Sequence, residues 1–100
     1  MYSYIAAWQI PSSHWSEMPR TVAADKSIMD KALADGIIVA YGDDETIVHS
    51  PDADTHDNWW SSMSMAGLLK VLNELYAAGN TSSPALDAAT THRDLIVVSH

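Results

Sequence analysis

Cysteine and phenylalanine are both missing from this 100-residue chain. Without cysteine there is no disulfide, no thiolate metal site and no cysteine nucleophile, and a cytoplasmic setting fits that composition. Without phenylalanine the aromatic mass falls on four Trp and four Tyr residues. Each carries a polar handle, which suits wet pockets and interfaces better than dry cores. Basic residues are scarce: five Lys and Arg against 13 Asp and Glu leave a formal charge of −8. Such a surface repels phosphates and anionic headgroups, so neither nucleic acid nor a membrane is expected as a partner. No apolar run approaches the ~20 residues that span a bilayer. The opening stretch MYSYIAAWQIP has no basic segment ahead of its apolar residues and does not read as a signal peptide.

What is present is apolar enough to fold, at 47% hydrophobic residues. The length suits one domain over residues 1–100, which buries roughly 60–70% of its unfolded surface. The clearest local pattern is Asp57–Gly79. Trp59–Met63 reads as a strand, which extends to Ser64 in its pairing. Ser64 offers a capping hydroxyl, and Met65, Leu68, Leu69, Leu72, Leu75 and Tyr76 then recur at helical spacing. Gly79-Asn80 closes that helix with residues that tolerate a left-handed backbone.

The chain before this stretch supplies two strands and a helix. Ser3–Ile10 is a strand with apolar residues on both faces, which predicts a central position. A helix follows from Ser12 or Ser13 to Asp35, with Trp15, Met18, Val22, Met29 and Leu33 on one stripe. Pro19 predicts a kink in it, and Gly36 ends it. Ile37–Tyr41 and Thr46–His49 read as one long strand, with a bulge at Gly42-Asp43-Asp44-Glu45. Ser50–His56 is turn chemistry, across which this strand pairs antiparallel with Trp59–Ser64. Toward the end, Ser83 caps a short helix that starts at Pro84 and runs through Ala89, and Asp94–Ser99 is the last strand. The chain stops at His100, flush with that strand, as expected of a minimal or excised domain.

The order is strand, helix, strand, strand, helix, strand. It predicts an α+β, ferredoxin-like βαββαβ domain, a four-stranded antiparallel sheet with two helices on one face. The other face then needs cover, which a second copy supplies most simply. In this order, and in pieces such as ADGIIVAYGDDETIVHS followed by THDNWWSSMS, the chain resembles the dimeric α/β-barrel superfamily. That group includes the antibiotic-biosynthesis monooxygenases, stress-responsive barrel proteins, and EthD-like and YCII-like proteins. The resemblance implies a homodimer through the open sheet face and a pocket between sheet and helices. It also implies that no metal or organic cofactor is needed. The haem-degrading branch uses an asparagine, a tryptophan and a histidine; here the first strand carries Gln9 and no asparagine, so that activity is not expected.

Candidate site residues follow from this placement. Trp8, Trp15, Tyr41, Trp59 and Trp60 are the aromatics available to a flat organic ligand. The adjacent pair Trp59-Trp60 must split between the two sheet faces, so at most one belongs to a pocket. Core or dimer packing is the plainer reading of all of them. His14, at the start of the first helix near the pocket mouth, is the candidate catalytic base, against the plainer reading of an exposed first-turn histidine. No metal site is expected. The weak alternative is His49 and His56, which flank the turn near Asp52, Asp54 and Asp57. A calcium loop starting at Asp52 fails, because Asp57 and Met63 occupy the positions that need glycine and glutamate. The serines at 61, 62 and 64 sit in no glycine elbow. Two functions remain. One is a binding protein or cofactor-independent enzyme for an aromatic or polyketide-like molecule. The other is a non-catalytic barrel module that only assembles, as a homodimer or as half of a tandem pair. A sheet–helix cleft filled by Met18, Met29, Met65 and leucines would exclude the first; a void of roughly 300 Å3 with convergent polar groups supports it.

Overall fold

The computed structural model describes residues 1–47 and 50–100. Among them, four strands form one antiparallel sheet: β1 (Tyr2–Gln9), β2 (Ala40–Glu45), β3 (His56–Ser62) and β4 (Thr91–Val98). Their order is β2-β3-β1-β4, so the apolar β1 is indeed central. Helices α1 (Met18–Ala34) and α2 (Met65–Ala77) pack on one face, and a single turn of helix, α3 (Pro84–Asp87), precedes β4. This is the expected ferredoxin-like α+β fold. Among the described residues no helix is long and apolar enough to cross a membrane.

The segment after β1 differs from the kinked helix that Pro19 suggests. Ser12–Glu17 is a 3-10 helix, and the α-helix starts only at Met18, with Pro19 in its first turn. The reason lies in hydrogen bonding. Proline has no amide hydrogen, and a first turn asks for none, so starting the helix there removes the need for a kink. The buried stripe of α1 is Met18, Met29 and Ala32, whereas Leu33 faces outward.

β2 is also displaced from its expected position. It pairs with β3 in unbroken register from Ala40 opposite Ser61 to Glu45 opposite His56, so the acidic run forms the strand and is not a bulge. Gly42 is the physical reason. A β-carbon there would lie 2.7 Å from the indole nitrogen of Trp59, its partner across the ladder. The glycine makes room for that ring to cover the strand. The carboxylates find donors along the way: Asp43 accepts from Asn58 Nδ2 at 3.0 Å and Asp44 from Trp59 Nε1 at 3.1 Å. Thr46 and Ile47 lie beyond the strand, and Val48 and His49 fall outside the described residues.

In α2 the Ser64 cap is present, its hydroxyl accepting from the Gly67 amide at 3.0 Å. Gly79, at φ +74°, follows the helix as its terminator. The buried face is turned from the one that apolar spacing suggests. Gly67, Leu68, Val71 and Leu75 point inward, while Met65, Leu69 and Tyr76 are exposed. Close approach at Gly67 sets this rotation. A β-carbon there would meet Ser62 Oγ at 2.3 Å and the Ile37 carbonyl at 2.7 Å. Ser62 in turn donates to that carbonyl at 2.7 Å.

Gly67→Ala is therefore expected to destabilise the protein by about 1–3 kcal/mol through overpacking. The same change at an open helical glycine would stabilise by up to ~1 kcal/mol. Urea denaturation gives the sign; a gain in stability would show that α2 does not seat on the sheet in this way.

Candidate functional site

The ladder registers sort the inner sheet face into three rungs. Tyr41, Trp60, Tyr4 and Ile96 form one, and Glu45, His56, Trp8 and His92 form another. Between them lies a rung of shorter side chains, Asp43, Asn58, Ala6 and Asp94. Ala6 stands between Tyr4 and Trp8 along β1, so the middle of the sheet is low where its two ends are tall. The helices bridge this hollow, and a cavity of about 350 Å3 remains beneath them.

Aromatic rings wall the cavity at both ends. Trp60 stacks on Tyr4 with centroids 4.6 Å apart and planes 9° from parallel. Trp8 stacks on His92 at 4.8 Å, and Trp15 meets His56 edge-on at 5.7 Å. Trp15 is tied down by its indole N–H, which donates to the Ile10 carbonyl at 2.7 Å. A second small core of Ile10, Met18 and Ala85 holds this end closed, with Trp15 and Leu86 packed against it. From above, α1 contributes Val22 and Asp25, and α2 contributes Leu72, Leu75 and Tyr76.

The polar groups are mostly acids. Burial, reinforced by the charge of Asp43, pushes the Asp25 carboxyl up to about 6, and its Oδ1 has no hydrogen-bond partner among the described residues. Burial also raises Asp43, against the hydrogen bond from Asn58. Burial and the Asp94 carboxylate raise the Tyr4 phenol. His92 Nε2 lies 2.8 Å from Asp94 Oδ1. The buried His56 is shifted down, toward the neutral imidazole, by desolvation that Glu45 only partly offsets. Its Nδ1 lies 2.8 Å from Thr55 Oγ1, which also accepts from the Ile10 amide at 3.0 Å. Thus a carboxyl that ionises late and an imidazole that resists taking a proton both line the cavity.

Of the residues singled out from sequence, the fold brings Trp8, Trp15 and Trp60 to the cavity. Trp59 lies on the opposite sheet face over Gly42, as strand geometry requires. Tyr41 shares the inner face but packs against the core and donates its hydroxyl to Asp30. His14 is not among the cavity-lining residues; its Nδ1 lies 2.5 Å from Glu17 Oε2 in the 3-10 turn. His56 does line the cavity, while His49 lies outside the described residues. No group of three His, Asp or Glu residues among the described residues is arranged to hold a metal ion. Asp25, Asp43, His92 and Asp94 were not expected from the sequence. Their signal was period-two alternation in β2 and β4, which puts Asp43 and the pair His92 and Asp94 on the cavity face of their strands.

A carboxyl that is harder to ionise folded than unfolded binds more protons in the native state, so it costs stability as pH rises toward and past its folded pKa. For Asp25, raised from 3.8 to about 6, the cost is absent near pH 3 and fully developed by about pH 7. Asp25→Asn should therefore stabilise the protein near pH 7 by on the order of 1–3 kcal/mol and much less near pH 4. Urea denaturation at both pH values checks this; equal effects would mean that Asp25 is not buried as described.

No protein-family model matches the sequence, and no curated protein does. Solved structures do match the fold. One is a crystal structure of an uncharacterised NIPSNAP domain protein from Burkholderia xenovorans, at TM-score 0.57 and 10% identity, covering 100% of this chain and 95% of that one. Another is a protein from Agrobacterium tumefaciens, at TM-score 0.63 and 13% identity, covering 100% and 94%. At these identities the likeness is one of fold.

Proposed function

We propose that this chain binds a small aromatic molecule in the cavity between sheet and helices. The observation that carries the reading is the cavity itself. Its volume of about 350 Å3 exceeds the roughly 300 Å3 a small organic ligand needs, and Asp25, Asp43, Asn58 and Asp94 converge on it between aromatic walls. A fused-ring or polyketide-like molecule suits stacking against Trp8 and Trp15, the half-buried tryptophans of the lining. Asp25 and His56 are the shifted titratable groups that face it, and His14 is left as a residue of the surface turn.

Tryptophan placement supplies the test. Titrated calorimetrically with indole, the wild-type protein should saturate. Trp8→Ala should weaken binding about tenfold or more, near 1.4 kcal/mol. Trp59→Ala, altered on the far sheet face, should bind indole as wild type does. Equal losses in both variants, or no saturation in the wild type, would overturn the reading.

The alternative of an assembling module also has an observation in its favour, and it is compatible with ligand binding. β4 is exposed along its whole length, with Leu95 at 52% and Val97 at 42% on the outer face. Ile5 and Trp59 lie beside Leu95 on the same rung. A second copy packed face to face would cover this patch and complete an α/β barrel. Analytical ultracentrifugation at micromolar concentration should show a dimer that Leu95→Asp converts to monomer. A monomeric wild type excludes the barrel.

A further inference from the structure

We infer that the ligand of this cavity is a cation, an aromatic ammonium ion held between the tryptophan walls and the carboxylates of Asp25, Asp43 and Asp94. The inference rests on the proposed binding function and narrows it to one chemical class. Four observations carry it.

First, among the described residues no lysine or arginine lines the cavity, whereas Asp43, Glu45 and Asp94 lie on the floor and Asp25 on α1. The local field therefore favours a positive guest, and a carboxylate or phosphate entering would meet like charge with nothing to offset it. Second, Asp25 Oδ1 is buried without a hydrogen-bond partner among the described residues. Buried acceptors in folded proteins are satisfied almost without exception, so this oxygen asks for a donor from the cavity side. An ammonium group carries three N–H donors and no acceptor. Third, the cavity presents the half-buried rings of Trp8 and Trp15, and ring faces attract cations, tryptophan most strongly. A neutral aromatic guest would use these walls and leave the acids idle; an aromatic ammonium uses both. Fourth, the acids and imidazoles do not converge in threes as a metal ion requires among the described residues. An organic cation, with its charge on one end and a flat ring on the other, fits the spread-out acids better than a bare ion. Burial and the charge of Asp43 make Asp25 reluctant to ionise, against a hydrogen bond from Asn80.

Three probes of one shape and different charge test this: phenethylammonium, phenethyl alcohol and hydrocinnamate, each titrated calorimetrically into the protein near pH 7. The ammonium should bind roughly tenfold or more tightly than the alcohol, with hydrocinnamate weakest. Asp25→Asn and Asp43→Asn should each erase most of that preference for the ammonium over the alcohol. Both changes preserve side-chain shape, and a thermal melt confirms the fold; should either variant fail to fold, Asp94→Asn takes its place. Alcohol binding as tightly as ammonium, tightest binding by hydrocinnamate, or an ammonium preference that survives all of these variants, would overturn the inference and leave the binding function standing. No binding by any of the three, together with none by indole, would overturn both.

Discussion

The indole of Trp60 is the contact that fixes the geometry of everything above the sheet. It is 1% exposed, its ring lies flat on Tyr4, and its N–H donates to the Leu68 carbonyl of α2 at 3.1 Å. That carbonyl belongs to the first turns of the helix, where it would otherwise share its lone pairs only along the helix axis. In the dry interior a lost donor of this kind costs about 1–3 kcal/mol, so the bond locates α2 as well as holding it. Close approach at Gly67, one residue earlier, then sets the rotation of the helix and sends Tyr76 toward the cavity mouth. Trp60 thus locates α2 on the sheet, and Gly67 decides which side chains it offers to the site.

The two adjacent tryptophans do opposite jobs because a strand alternates. Trp60 builds the core, whereas Trp59 closes over Gly42 on the other face and donates to Asp44. This outer arrangement keeps β2 straight despite its run of Asp43, Asp44 and Glu45. Nearby, burial and the neighbouring Asp44 raise the Asp57 carboxyl to about 6. The outer face is thus acidic at one edge and apolar at the other, toward Leu95 and Val97.

Element order was legible in the sequence because strands and helices differ in period, and because Ser64, Ser83, Gly36 and Gly79 punctuate it with residues of definite backbone chemistry. What was hidden depended on partners distant in sequence. Gly42 looks like a bulge until Trp59 is known to lie across from it. The helical stripe of α2 reads as Met65, Leu68, Leu69, Leu72, Leu75 and Tyr76, and of these Met65, Leu69 and Tyr76 prove exposed once Gly67 is seen against Ser62 and Ile37. Pro19 looks like a kink because the 3-10 turn before it leaves no periodic trace. At the site, Trp8, Trp15 and Trp60 stood out as large aromatics, but the acids did not. Asp43 reads as part of a solvated corner, and Asp25 reads as one polar residue on a helix. Only the register that sets Asp43 beside Asn58 and Ala6, and the helix that lowers Asp25 over them, turns them into one wall.

A fold of this size has about 5–15 kcal/mol to spare. Holding Asp25 and Asp43 under a helix, without a cation opposite, uses part of that margin at neutral pH. Asparagine at position 25 would relieve the cost there, whereas Asp43 also accepts from the buried Asn58 amide, which leucine would leave without a partner. Ala6 argues the same way. A larger side chain between Tyr4 and Trp8 would fill the hollow and bury more apolar surface, yet the rung is kept low. A void that could be closed, lined by charges that could be neutralised, is costly as architecture. The proposed guest is the one partner that would offset both costs at once, by filling the volume and supplying donors to the acids.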